Sequence, residues 1–164
     1  MHGWELQVQI QEITKGESLS LLKGMRLGRL ACSKDGQPYI TPFYFDLSGD
    51  CLYSFSTVGQ HVEWMRKNPL VCVETDRVVS PQDWLSIIIM GRYEELPDTP
   101  EWQRERTIAH ELLQRNPDWW EPGYTKTIVH GTERPLVPVY FRIQMNEITG
   151  RRGSPGPPGR IKKP

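Results

Sequence analysis

Between Leu27 and Thr57 the chain carries three short runs of β-prone residues separated by two tight-turn signals, Asp35-Gly36 and Ser48-Gly49-Asp50. A parallel strand pair needs a crossover of a dozen residues or more, so runs joined this closely can pair with their neighbours only in antiparallel fashion. An antiparallel meander is therefore the starting constraint on the fold.

The rest of the chain extends that pattern. Strands are expected at 27–33, 38–47 and 51–57, then at 70–76, 84–96 and 136–148. Ile87, Ile88 and Ile89 stand together, as in a strand buried on both faces. In the final run Val137, Val139, Phe141, Ile143 and Met145 alternate with Tyr140, Arg142, Gln144 and Asn146, as in a strand with one apolar face. Short helices are expected after Thr14-Lys15-Gly16-Glu17, a capping-box spacing, and over 60–67, with Val62 and Met65 inward and Asn68-Pro69 as the stop. A third begins at Asp98 or Thr99, with Pro100 in its first turn and Trp102, Ile108, Ala109, Leu112 and Leu113 as its stripe. Residues 119–132 read as an aromatic-rich loop, in which Trp119, Trp120, Pro122 and Tyr124 line a substrate opening or pin the loop down. Six antiparallel strands with peripheral helices make a mainly β chain that curls into a barrel.

At 164 residues and 37% apolar content there is material for one domain, taken as residues 1–150. Arg151, Arg152, Arg160, Lys162 and Lys163, set among Pro155, Pro157 and Pro158, make 151–164 a basic tail, expected to be disordered. The overall charge is zero, so the remaining body is mildly acidic, which argues against nucleic acid as the main partner. Cys32, Cys51 and Cys72 form no CxxC pair, and a reducing cytoplasm is expected. No apolar run reaches membrane-span length and no export signal pattern opens the chain, so no membrane partner is expected.

The chain has no P-loop, no GxGxxG after a first strand and no GxSxG elbow. His110-Glu111-Leu112-Leu113-Gln114 approaches a zinc-protease motif but has glutamine where the second imidazole belongs, so no metal is expected. No nucleophile–base pairing is visible in the sequence order, and no catalytic residue is assigned.

One segment carries recognisable chemistry. Ser56-Thr57-Val58-Gly59-Gln60-His61 falls at a strand-to-helix junction, where free backbone N–H groups and the helix dipole favour an anion. Ser56 and Thr57 can donate to phosphate oxygens, Gly59 permits close approach, and a protonated His61 adds a charge-assisted bond. An ordinary helix cap accounts for the same residues.

Several segments together resemble the pyridoxamine 5'-phosphate oxidase-like superfamily, especially the branch containing nitroimidazole-resistance-type proteins. They are Gly28-Arg29-Leu30-Ala31, Asp35 to Pro42, Leu52 to Thr57 with Gly59, Asn68 to Val73, Trp84 to Leu96, and Phe141-Arg142-Ile143 with Ile148 to Arg151. The resemblance implies a six-stranded split β-barrel that binds flavin mononucleotide (FMN) between two copies of the chain. Its ring would lie along Tyr39, Ile40, Thr41, Pro42 and Phe43. Its phosphate would meet Arg29, Ser56, Thr57, Gly59, Gln60 and His61. Trp84 and Ser86 are further candidates for cofactor contact, with Trp84 packing either on the ring or in the core. Family members commonly carry lysine or arginine where this chain has Gln60-His61, and a histidine where it has Phe55. Arg92 and Arg142 are readable as cross-strand partners of glutamates.

The activity implied is an FMN-dependent oxidoreductase passing electrons from a reduced nicotinamide to a small aromatic or nitro compound. The alternative is a flavin- or haem-binding module acting as carrier or sensor.

Overall fold

The computed structural model describes residues 7–116 and 126–157. The six expected strands are all present, within an eight-stranded antiparallel sheet. In chain order the elements are β1 (Val8–Ile13), α1 (Lys15–Leu22), β2 (Leu27–Lys34), β3 (Gln37–Tyr44), β4 (Asp46–Ser48), β5 (Cys51–Thr57) and α2 (Gln60–Lys67). There follow β6 (Leu70–Ser80), β7 (Asp83–Glu95), α3 (Gln103–Gln114), β8 (Lys126–Val129), β9 (Thr132–Pro135) and β10 (Pro138–Pro155). The sheet runs β3-β2-β6-β7-β10-β5-β4, and β1 pairs with the far half of β10. Its ends, β3 and β5 with β4, are not laddered to each other, so the barrel is split.

Strand alternation builds the core. Leu30 and Cys32 from β2, Val71 and Val73 from β6, and Ile87 and Ile89 from β7 point inward with Phe141 and Ile143 from β10. Val62 and Met65 on α2, both fully buried, plug the interior as their spacing predicts. Each such side chain contributes about 1.5–3 kcal/mol by leaving water. Gly28 is where the close packing forbids a side chain: a Cβ there would lie 2.9 Å from the Glu74 carbonyl oxygen and 3.1 Å from the Phe43 ring.

A second, smaller cluster forms where α3 covers the outer side of β5 and β10, joining Tyr53, Leu96, Ala109, Leu113 and Tyr140. Polar bonds lock it. The Arg106 guanidinium sits 4.6 Å from the Tyr140 ring, and His110 Nδ1 is 2.7 Å from the Tyr140 hydroxyl. Arg142 donates to its cross-strand partner Glu94, as expected, whereas Arg92 stands opposite Leu70 and Gln144 rather than a glutamate.

The structure corrects the sequence reading at several places. Strand β10 runs to Pro155, so residues 151–155, expected in a disordered tail, are sheet. Glu12 stands opposite Arg151, and Arg152 reaches Glu17 at 2.7 Å, so distant acids hold the first basic residues of that segment. The remainder of the segment from residue 158 lies outside the described residues. A bulge between Met145 and Glu147 bends β10 so that one strand serves β5, β7 and β1. Part of the expected loop at 119–132 is a hairpin, β8–β9, turning at His130-Gly131, both at positive φ. Trp119, Trp120, Pro122 and Tyr124 lie outside the described residues. Strand β6 extends to Ser80 and turns directly into β7. The third helix opens with a 3-10 turn, Pro100–Trp102, before α3. Ile88, unlike Ile87 and Ile89, is only half-buried, so β7 has one buried face within a single chain. No helix among the described residues is long and apolar enough to cross a membrane.

Candidate functional site

The split positions a pocket. At one end of the gap the Ser54 hydroxyl donates to the Tyr44 carbonyl at 2.6 Å, clasping β5 to the end of β3. Beside it opens a cavity of about 590 Å³. Leu30, Phe43 and Phe141 reach it from the core side, Pro42 and Tyr44 from β3, and Phe55, Leu113 and Asn116 from β5 and the end of α3. Ser56, Thr57 and His61 supply its polar end, with Thr41. A volume of this size, aromatic on several sides with a few convergent polar groups, suits a flat organic ligand.

The polar end forms because β5 runs straight into α2. Gly59 is the N-cap in extended backbone, and no side chain caps the helix. Ser56 and Thr57 are therefore not its caps. The Ser56 hydroxyl instead meets His61 Nε2 at 2.8 Å. Burial holds the His61 imidazole below its ordinary value, so the ring is neutral near pH 7. Free N–H groups in the first turn of α2 add to this donor set.

Of the residues expected at the site, Thr41, Pro42, Phe43, Ser56, Thr57 and His61 line one cavity. Gly59 and the exposed Gln60 adjoin it at the start of α2. Tyr39 lies further along β3, its ring 5.7 Å from Trp64. Ile40 points to the outer face of the sheet and is 62% exposed. Arg29 is also on that outer face, bound to Glu74 at 3.4 Å and Asp76 at 3.2 Å, with Ser86 donating to Glu74. Burial, with Asp76 beside it, pushes the Glu74 carboxyl above its ordinary range. Trp84 covers Gly153 at the far end of β7, where an added Cβ would fall 2.4 Å from the indole nitrogen. Within one chain, then, Arg29, Ile40, Trp84 and Ser86 do not meet the Ser56–His61 end.

Leu30, Tyr44, Phe55, Leu113, Asn116 and Phe141 are lining residues that the sequence reading did not select. Their signal was the apolar alternation of the strands and the stripe of α3, which marks core and pocket wall alike.

The sequence pattern of the family described as Pyridoxamine 5'-phosphate oxidase matches residues 14–152. The chain belongs to this family. An uncharacterised protein of Rhizobium meliloti is 37% identical over 147 residues, spanning 90% of this chain and 97% of its own. Among solved structures, an FAD-binding protein of Mesorhizobium loti is 37% identical with a TM-score of 0.72, over 90% of this chain and 99% of that one. A Bacteroides thetaiotaomicron protein assigned to 5-nitroimidazole antibiotic resistance is 19% identical with a TM-score of 0.65, over 93% and 95% of the two chains, and shares the fold. The split barrel expected from the sequence is the family's fold, and the pocket lies in its split.

Proposed function

We propose that this chain binds a flavin nucleotide in the split-barrel pocket and acts as a flavin-dependent oxidoreductase on a small aromatic or nitro compound, with a reduced nicotinamide as electron donor. The observation that carries the reading is one cavity joining aromatic walls, Phe43, Tyr44, Phe55 and Phe141, to a cluster of phosphate-suited donors, Ser56, Thr57 and His61. That donor set fits a flavin: a planar ring against β3, a phosphate at the start of α2. The FAD-binding relative at 37% identity supports the flavin class; FMN is the flavin the sequence resemblance implies. The flavin, when bound, supplies the electron transfer, and the protein positions it. Among the described lining residues His61, neutral near pH 7, is the one imidazole, and none is a carboxylate or lysine.

A homodimer is part of the proposal. Ile40, Ala31, Cys72 and Met90 form one register row across the outer face, in which Ile40 and Met90 are 62% and 50% exposed. With Leu70 and half-buried Ile88 nearby, this face is apolar enough to meet its own copy by twofold symmetry. Such pairing would bring a partner's outer-face residues toward the split.

Absorbance of the purified protein after addition of FMN or FAD tests the reading. A bound yellow flavin bleached by a reduced nicotinamide and reoxidised by a nitroaromatic is the expected result. Flavin bound without turnover would make the chain a carrier, and a haem spectrum or no bound chromophore would refute the proposal.

A further inference from the structure

Across the split from β3, the pocket wall includes Phe55 of β5 and Leu113 of α3. Phe55 is the near end of an aromatic stack that continues into the protein. Across the β5–β10 ladder it stands directly opposite Tyr140, their rings 5.8 Å apart and tilted by 40°. Tyr140 is only 4% exposed, and α3 grips it. Its hydroxyl meets His110 Nδ1 at 2.7 Å, and the Arg106 guanidinium covers its ring at 4.6 Å while donating to the Leu96 carbonyl at 3.1 Å. Arg106, His110 and Leu113 recur at four and then three residues along α3 and so share one helix face. The grip on Tyr140 that steadies Phe55 therefore also sets Leu113 toward the cavity.

A flavin ring against β3 leaves the α3 side of the cavity to the molecule it reduces. An aromatic molecule laid against Phe55 gains an offset or edge-to-face contact with that ring. A puckered, saturated ring of the same size is thicker and must push the wall back. The wall resists, because moving Phe55 disturbs Tyr140 and its bond to His110, and close-packed side chains give way only at a cost. We infer that the electron acceptor binds against Phe55 and that the Arg106–Tyr140–His110 clamp behind it makes planarity the property selected. Phe55 is then the specificity-determining residue, and Tyr140 and His110 are positioning residues that act through it. The inference rests on the flavin reading above and adds which wall recognises the acceptor and by what property.

The test is titration of the flavin-loaded, full-length protein with nitrobenzene and with nitrocyclohexane, a planar and a puckered probe bearing the same nitro group, followed by the absorbance of the bound flavin. Nitrobenzene is expected to bind about tenfold more tightly. Phe55→Leu should bring the two probes within about twofold of each other and leave the affinity for the flavin itself within about twofold. Tyr140→Phe, which keeps the ring but releases His110, should leave nitrobenzene unchanged and tighten nitrocyclohexane about threefold, a gain that a merely structural loss would not give. Phe55→Trp should widen the preference, so the wall stays testable if Phe55→Leu does not hold flavin. Equal binding of the two probes by the wild-type protein, or a preference that neither Phe55 variant moves, would overturn the inference while leaving the flavin reading intact. Failure of the wild-type protein to bind flavin would overturn both.

Discussion

The contact between Ser56 and His61 ties the end of β5 to the first turn of α2, and its strength can be measured without any ligand. We consider Ser56→Ala, His61→Ala and the double variant. The wild-type groups are 2.8 Å apart and each is half-buried. A neutral hydrogen bond contributes about 1 kcal/mol net, and partial solvent access keeps the penalty for stranding either group from rising much above that. Each single variant should therefore lose about 1 kcal/mol, with His61→Ala somewhat the larger because it also removes ring contacts. The double variant should lose about 1 kcal/mol less than the sum of the two. Urea denaturation of the flavin-free protein at about pH 8, where the imidazole is neutral, reads this directly. The same series predicts a pH effect. Because burial lowers the folded-state value of His61, its neutral form contributes stability above the unfolded value of about 6.5. That contribution is lost as pH falls through the depressed value, and His61→Ala should lack this loss. A coupling below about 0.3 kcal/mol at high pH would show that the two side chains do not meet and would remove the geometric basis of the polar end.

Three further outcomes are expected. Gly91→Ala should destabilise the barrel by about 1–3 kcal/mol in urea, toward the upper end, because its Cβ would lie 2.6 Å from the Ile143 side chain and 2.7 Å from the Gln144 carbonyl oxygen. Ile40→Glu with Met90→Glu should convert the proposed dimer to a monomer in sedimentation without changing the far-ultraviolet circular dichroism, since both side chains are exposed within one chain; a dimer that persists would place the interface elsewhere. Arg66 grips Glu95 with two bonds, 2.8 and 2.7 Å, and holds that carboxyl below its ordinary range. The pair's stability, about 1 kcal/mol after solvent screening, is present above the ordinary carboxylate range and lost as pH falls through the depressed value. Arg66→Gln should flatten that acid limb of a stability–pH curve.

Much of this protein could be read along the chain because its signals are local. The turns at Asp35-Gly36 and Ser48-Gly49-Asp50, the Thr14 cap that accepts from the Glu17 N–H, and the inward spacing of Val62 and Met65 all act within a few residues. The polar end of the pocket was legible for the same reason, since Ser56 and His61 are five residues apart at one junction. What the sequence could not decide depended on partners far along the chain. Residues 151–155 are strand because Val8–Ile13 and the start of β7 supply their ladders and Glu12 and Glu17 their counter-charges. The family resemblance implies a phosphate contact for Arg29, and within one chain alternation along β2 sets it on the outer face beside Glu74 and Asp76 of the neighbouring strand. The pocket walls are long-range as well: Phe55, Leu113 and Phe141 come from three elements that meet where β10 pairs with β5 and α3 folds over β5. Local chemistry thus determined the strands, the helices and the donor-rich turn, while charge pairing and cavity shape, which require atoms from distant segments at one point in space, were settled by the tertiary structure.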